Sequence, residues 1–419
     1  MSVDRPSFVN LTPNKDISQR LPLVDIPMNA EQLIKSAVWE YYSYGENGST
    51  ISGVVGHWGR NVNNEELAFF YNNRCLQDKD GRVFTPESEE IVKPGFERRF
   101  SYPIRTSKQD AFEAEIEIGI QAIKTACEVR GVKPNQIRLM FVSGEFLGLP
   151  DKPEHNALIP RMLADRSGIS KSAHVHNNVL ACNSGSEARR MVGESQTELD
   201  GQHVLYVELE GLTKVTPPSF SDAGVPVFTN EVQAGVQQVG VDYSIIPGKF
   251  EVIPDPEGSI TGPFYWPKTE VNKHGLMILT DAKRQPLPNP DNSYDGSMNP
   301  FKTIRWVLRY VKPSLVKSFN ELRNAGYFQN GVLTISHPAS FPVQSRLYTQ
   351  ASKELGIDLN SVWYKTDGNS SCAASPVVLL RASRDGVLRE AEEQGRDIFY
   401  FGFGVGGNCS GMVIKNTYK

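Results

Sequence analysis

Similar segments that recur at a nearly constant spacing constrain the fold of this chain more than any other feature. A helical pattern of apolar residues ends at Gly131, and the buried-strand run IRLMFVS follows it at 137–143. A second such pattern ends at Gly326 and leads into the strand run at 331–336. A helix followed by a buried strand is typical of an α/β fold, and its recurrence indicates a duplication.

A second pair of segments has almost the same spacing. Cysteine and small residues precede a helical pattern in 181–192 and again in 371–382, so Cys182 and Cys372 are separated nearly as widely as Gly131 and Gly326. We therefore expect two similar α/β halves. The predicted divisions are an extended arm over 1–35, an N-terminal half over 36–215, and a C-terminal half over 216–419 that includes a loop-rich insertion over 214–300 with one or two strands.

Composition excludes several classes of partner. The 44 Lys and Arg residues against 48 Asp and Glu residues give a net charge of −4 without long runs of one sign, which argues against nucleic acid. No stretch approaches the roughly 18 consecutive apolar residues of a membrane span, and the polar start does not resemble a signal peptide. Five cysteines without a close CxxC pair are typical of reduced thiols, so we expect a cytoplasmic enzyme of metabolism.

Cys182 is a candidate nucleophile. It lies between a short apolar run and a helix, where the helix dipole and unpaired N–H groups favour a thiolate. The alternative is a small buried side chain, which is how we interpret Cys75 and Cys127. His174 and His176 precede it, but no second Cys/His pair has the spacing of a structural zinc site, and we predict no metal.

Two polar residues follow in the second half. His337 directly follows the strand run at 331–336, and Asn369 lies further along the chain in a turn of small residues. The glycines of FGFGVGG (401–407) fit a dinucleotide fingerprint, but the short segment that follows them cannot supply the required helix and acidic residue. We expect instead a tight turn whose N–H groups face a ligand.

Together these segments resemble the thiolase-fold condensing enzymes, in particular those similar to β-ketoacyl-acyl-carrier-protein synthase III. The matching segments are GFERRF (95–100), the unit 107–143, LACNSGSEA (180–188), ISHPAS (335–340), DGNSSCAAS (367–375) and FGFGVGG (401–407). The resemblance implies a duplicated fold layered α-β-α-β-α, a Cys182–His337–Asn369 triad, a buried acyl pocket and a homodimer. It also implies acyl-CoA or acyl carrier protein as the substrate, and no cofactor.

The resemblance assigns a role to each site residue. Cys182 would attack an acyl thioester and hold the acyl group covalently. Backbone N–H groups of Cys182 and of the turn at Val405 would form the oxyanion hole. His337 and Asn369 would donate hydrogen bonds to a second thioester and stabilise its enolate.

HPAS, where the family usually has HQAN, and the long 214–300 segment favour a Claisen condensation other than routine fatty-acid initiation. The resemblance is then strongest to ketosynthase–cyclases that form dialkylresorcinols and stilbenes, with cyclisation of the product, and olefin-pathway Claisen enzymes share the relevant features. A simple acyl thioester has no carboxylate to lose, so a base must remove its α-proton. Glu154 is our candidate and Glu145 competes with it; an exposed loop carboxylate is the alternative for Glu154.

Three other functions remain open. They are decarboxylative condensation with malonyl-carrier protein, acyl transfer to oxygen or nitrogen, and a non-catalytic partner subunit, although such a subunit would lack the Cys or His that this chain keeps.

The predicted helix 302–317 has one basic face, which carries Arg305 and Arg309 together with Lys302 and Lys312. This face is either a solvated helix side or a dock for an acidic carrier protein or the phosphates of coenzyme A.

Overall fold

The structure is a computed structural model that describes most of the chain. The described residues are 27–45, 48–70, 85–92, 94–103, 106–144, 158–211, 213, 228–253, 270–271, 277–278, 304–365, 368–404 and 407–416. Within these ranges, every helix is too short or too polar to cross a membrane.

Helices and strands alternate along much of the chain. The helices are α1 Ala30–Lys35, α2 Asn64–Phe70, α3 Glu89–Val92, α4 Lys108–Arg130, α5 Ile159–Arg166, α6 Ser184–Glu194, α7 Lys312–Asn324, α8 Phe341–Leu355, α9 Ala374–Arg384 and α10 Val387–Glu393. The strands are β1 Val38–Tyr42, β2 Gly53–His57, β3 Arg60–Asn63, β4 Arg98–Ser101, β5 Ile137–Ser143, β6 His174–Asn178, β7 His203–Glu210, β8 Glu231–Gln238, β9 Tyr243–Val252, β10 Glu270–Val271, β11 Met277–Ile278, β12 Val332–Ser336, β13 Asp397–Gly404 and β14 Asn408–Asn416.

The two largest sheets share the same topology over four strands each. The first has the order β1-β2-β8-β7-β5-β6, and the second has the order β12-β13-β14-β9. In the first, β5 is parallel to β7, and β8 and β2 continue antiparallel. In the second, β12 is parallel to β13, and β14 and β9 continue antiparallel. The predicted duplication is therefore visible in strand order and direction.

Five layers of helices and strands pack around three hydrophobic clusters, and the second cluster lies on both sides of the central helix layer. Alternate residues of β5 and β7 face α4 and α5 on one side and the helices α6 and α9 on the other. Alternate residues of β13 face α6 and α9 on one side and α7 and α8 on the other. This alternation is the period of two that a strand buried on both faces requires. The layers run α-β-α-β-α, as predicted.

The predicted helix–strand unit in the first half is confirmed. The Ser107 side chain accepts a hydrogen bond from the Asp110 N–H at the start of α4, and Gly131 ends the helix in a left-handed conformation. The strand that follows has the predicted bounds, Ile137–Ser143. The last two predicted strands, β13 and β14, are also present and pair antiparallel.

Three predictions need correction. Ala30–Lys35, placed in the extended arm, is a helix because Asn29 and Gln32 form a capping box at its start. β8 lies inside the predicted insertion but pairs with β7 and β2, so the chain passes to the second sheet at 239–242, after the expected division at 215/216. The helix expected over 302–317 is interrupted by a π-helical turn at Val307–Val311, which changes the spacing of its side chains.

Candidate active site

Cys182 lies in a tight turn at the start of α6. The 3-10 turn Ala181–Asn183 precedes the helix, and Ala181 has a φ of 49°, in the left-handed region that non-glycine residues rarely adopt. The Ser184 hydroxyl holds this turn: it accepts from the Leu180 N–H at 2.7 Å and donates to the Ala181 carbonyl at 2.8 Å. The Cys182 side chain is thus fixed at the N-terminal end of an 11-residue helix, whose dipole favours a thiolate.

The second half contains an equivalent turn. The 3-10 turn Ser371–Ala373 precedes α9, and Ser371 has a φ of 50°. The two turns contact each other, and α6 also approaches the second turn closely: a Cβ atom added at Gly185 would lie only 2.7 Å from the Cys372 carbonyl oxygen. Both turns therefore meet in the middle layer of the molecule.

Ser371 contacts two of the predicted site residues. Its hydroxyl donates to the Cys182 Sγ at 3.5 Å, and its backbone N–H donates to the Asn369 Oδ1 at 2.8 Å. The second contact fixes the orientation of the Asn369 amide and leaves its Nδ2 as the donor end. One N–H of this group points to the Ala339 carbonyl at 3.5 Å, and the other can serve a ligand.

His337 follows β12 and is almost completely buried. Phe403 packs edge-on against the imidazole, with ring centroids 5.4 Å apart, and the Ala339 N–H donates to the His337 carbonyl at 3.0 Å. Burial lowers the pKa of His337 to about 3, so the ring is neutral near pH 7 and can donate an N–H bond without carrying charge. Its Nδ1 atom has no hydrogen-bond partner among the described residues.

The end of β13 contacts both His337 and the turn Ala181–Asn183, which carries Cys182. Phe403 touches the imidazole, and the next residue, Gly404, approaches the turn so closely that a Cβ atom there would lie 2.6 Å from the Leu180 carbonyl oxygen and 3.1 Å from the Asn183 nitrogen. The structure thus gathers Cys182, His337 and Asn369 around the ends of β12 and β13.

Three other predicted residues, Glu154, Glu145 and Val405, lie outside the described part of the chain, as does Cys75. His174 and His176 are exposed on the edge strand β6, away from the buried Cys182. Across the described ranges, no cluster of three or more His, Cys, Asp or Glu side chains could hold a metal ion.

The predicted basic face is partly present. Arg305 and Arg309 are exposed, but Lys312 forms an ion pair with Glu354 of α8, and Lys302 lies outside the described residues. A surface cavity of about 400 Å³ lies beside Arg309. Its lining residues are Glu251, Val252, Ile253, Arg309, Tyr310, Pro313, Ser314 and Lys317.

A buried charged network behind Asn369 was not predicted. The Ser370 hydroxyl donates to Glu231, and the Glu231 carboxylate lies 3.3 Å from the His57 Nδ1. The His57 Nε2 lies 3.4 Å from Glu40, which also pairs with Arg381 at 2.8 Å. Burial opposes the ionisation of Glu40, but bonding to His57 and the charge of Arg381 hold its pKa below the ordinary value. This network ties the Asn369 turn to the first sheet.

The sequence contained one usable sign of Ser371 but none of this network. Ser371 corresponds to Ala181 at the same spacing that separates Cys372 from Cys182, so alignment of the two turns would have drawn attention to it. The members of the network are far apart in sequence: sheet pairing brings His57 beside Glu231, and packing of the second half adds Ser370 and Arg381.

The fold is the duplicated thiolase-like fold of condensing enzymes, and the predicted fold class is confirmed. Among solved structures, 3-oxoacyl-[acyl-carrier-protein] synthase III from Aquifex aeolicus VF5 has a TM-score of 0.53 at 14% identity, covering 88% of this chain and 100% of that one. Cerulenin-bound OleA from Xanthomonas campestris has a TM-score of 0.57 at 14% identity, covering 93% and 100%. The priming β-ketosynthase of the R1128 polyketide pathway has a TM-score of 0.55 at 19% identity, covering 95% and 98%.

Sequence comparison gives a similar result. No protein-family model matches the chain. A curated relative, β-ketoacyl-[acyl-carrier-protein] synthase III 1 of Halalkalibacterium halodurans, is 23% identical over 333 residues, which span 79% of this chain and 90% of that protein. The resemblance to synthase III is confirmed at the level of the fold, and the narrower resemblance to ketosynthase–cyclases stays a prediction.

Proposed function

We propose that this protein is a condensing enzyme that loads an acyl group on Cys182 and joins it to a second acyl thioester through a new carbon–carbon bond. The observation that carries the proposal is the set of contacts around Ser371, which hold Cys182 and Asn369 at one point, with His337 reached through Ala339 and Phe403. Similarity to synthase III enzymes and to OleA supports the same chemistry.

In the first step the Cys182 thiolate attacks the thioester carbonyl. A new carbon–sulfur bond forms and the old one breaks, so the carrier leaves as a thiolate, which takes a proton from solvent. The backbone N–H of Cys182, with that of Val405 as the proposed second donor, would stabilise the oxyanion.

In the second step the second thioester becomes an enolate whose oxygen accepts hydrogen bonds from His337 and Asn369. Both are neutral donors, so neither gives up its proton to the enolate. The enolate carbon attacks the acyl-cysteine carbonyl, the carbon–carbon bond forms, and the Cys182 thiolate is released.

The enolate can arise in two ways. A base can remove the α-proton of a simple acyl thioester, and we propose Glu154 for this role, with Glu145 as the alternative. Cyclisation of the product to a cyclohexanedione or resorcinol is the further step suggested by the resemblance to ketosynthase–cyclases. In the rival reaction, malonyl-carrier protein supplies the enolate by losing carbon dioxide.

The carrier would dock at the basic face. Arg305 and Arg309 are exposed, so an acidic carrier protein or the phosphates of coenzyme A would meet positive charge there, whereas Lys317 in the cavity beside Arg309 is already paired with Glu251. Charge reversal of Arg305 and Arg309 should lower carrier-dependent turnover at least tenfold at low salt. Unchanged turnover would leave the face as a solvated helix side.

We further propose a homodimer formed through β6. This strand is at the edge of the first sheet as described, and two apolar side chains are exposed: Val179 directly after the strand, and Leu158 at the start of α5. An exposed edge strand is suited to pairing with another chain, and a second copy would cover both side chains.

Intact-mass spectrometry tests the main proposal. Wild-type protein incubated with a panel of acyl-CoA and acyl-carrier thioesters should gain one acyl mass, and Cys182→Ala should gain none. Product analysis with labelled malonyl thioester then separates the two condensations, because incorporation of malonyl carbon with release of carbon dioxide would exclude the two-chain reaction. Acyl transfer to oxygen or nitrogen should need His337 more than Asn369, so comparison of the two alanine variants would reveal it.

A further inference from the structure

We propose that the Ser371 hydroxyl is a positioning and activating group for the Cys182 sulfur, so that the second half's copy of the nucleophile turn supports the nucleophile of the first. This inference deepens the proposed function and rests on it for the role of Cys182.

The contact is specific to one of two neighbouring hydroxyl groups. Ser370 donates to Glu231, whereas Ser371 donates to the Cys182 Sγ at 3.5 Å. Both partners of the second bond are buried, with 6% of Cys182 and 2% of Ser371 exposed. A hydrogen bond to an ionised acceptor is stronger than one to a neutral acceptor, so this hydroxyl favours the thiolate over the thiol.

Ser371 contacts both Cys182 and Asn369 from a left-handed backbone conformation. A φ of 50° lies in the region where glycine is the residue of least strain, yet the chain places a serine there. The same residue's N–H fixes the Asn369 amide at 2.8 Å. The hydroxyl therefore acts on the nucleophile, and the N–H orients the Asn369 donor.

These two roles can be separated, because alanine removes the hydroxyl and keeps the N–H. Ala181 has the equivalent position and a φ of 49° in the first half. The protein thus already holds an alanine in this conformation, and Ser371→Ala should fold.

The test is the pH dependence of Cys182 alkylation by iodoacetamide, followed by peptide mass so that other cysteines do not interfere. In Ser371→Ala the midpoint should move up by about one pH unit, and the rate at pH 7 should fall about tenfold. The rate well above the midpoint should match that of the wild type. Loading from an acyl thioester should slow at pH 7 and recover at higher pH.

Ser375→Ala is the matched control. Ser375 is a buried serine of α9 that forms hydrogen bonds with Ser186 and Tyr400, so its loss disturbs the same helix while the Ser371 hydroxyl stays in place. Its alkylation midpoint should equal that of the wild type. The inference is overturned if Ser371→Ala keeps the wild-type midpoint, or if Ser375→Ala moves it equally.

Failure of the two proposals can be distinguished. Alkylation requires no acyl thioester, so a wild-type protein that accepts no acyl group would overturn the proposed function while the alkylation midpoints still report on Ser371. Conversely, normal acyl loading with unshifted midpoints would overturn only the role of Ser371.

Discussion

The imidazole of His337 links the chemistry of the site to the stability of the protein. Burial lowers its pKa from 6.5 to about 3, so the unfolded chain binds a proton between these pH values and the folded protein does not. Because the unfolded state binds more protons there, the free energy of unfolding rises with pH across this window and falls on acidification. Burial of the neutral imidazole therefore lowers the free energy of unfolding only at pH values below 6.5.

His337→Gln should therefore change the pH dependence of stability. Gln does not titrate, so the difference in the free energy of unfolding between variant and wild type should change by up to about 1.4 kcal/mol per pH unit between pH 6 and 4. Urea unfolding at several pH values measures this difference. Parallel stability curves would show that His337 titrates alike in both states.

Asn369→Asp should separate the two half-reactions. A carboxylate at this position has no N–H to donate and would repel the enolate, so condensation should fall about 100- to 1000-fold, the usual effect of losing one such donor. Acyl loading on Cys182 should remain close to wild type. The two rates are measured by product formation and by intact mass, and an equal fall in both would assign Asn369 to the loading step instead.

Among elements, α6 and β7 are joined by a buried ion pair that no sequence pattern indicated. Arg189 and Glu208 lie 2.7 Å apart with almost no exposure, and Arg189 also donates to the Gly185 carbonyl at 2.8 Å. Burial raises the pKa of Glu208, and the neighbouring guanidinium opposes that rise. Each charge thus depends on the other.

Arg189→Met should destabilise the protein by about 3–5 kcal/mol, because it leaves the Glu208 carboxylate buried without its partner charge. The double variant Arg189→Met/Glu208→Leu should recover most of this loss. Urea unfolding of the single and double variants checks both values. A double variant no more stable than the single would mean that packing around Arg189, rather than its charge, is what matters.

The elements differ in how far the sequence predicted them. α4 and β5 were predicted with nearly their observed bounds because a long apolar period and strong end signals specify them locally. β8 was not predicted as a buried strand, because its residues Glu231, Gln233 and Gln237 are polar and yet buried. Their partners come from other strands and helices, so a local pattern could not reveal the strand.

At the scale of the whole molecule, the duplication was predictable and the position of the crossing between sheets was not. The two nearly equal spacings in the sequence reflect equivalent elements in the two halves, which share strand order and direction. The site shows the same contrast: Cys182, His337 and Asn369 lie in recognisable segments, whereas the contact of Ser371 with Cys182 depends on packing between the halves.

The proposed homodimer gives a prediction at this scale. The chain mass is 46.6 kDa, and in sedimentation experiments the wild-type protein should have twice that mass. The double variant Val179→Asp/Leu158→Asp should be a monomer, because a dimer would bury the two new charges in the proposed interface. Val252→Asp is the control, since Val252 is an exposed valine of β9 in the second sheet. A double variant that remains dimeric would place the interface elsewhere.

The facing turns at Ala181 and Ser371 also bear on synthesis of the protein. A ribosome completes the turn that carries Cys182 long before it has made the turn that carries Ser371. The contact between the Ser371 hydroxyl and the Cys182 sulfur can therefore form only after translation has reached the second half and the two halves have docked.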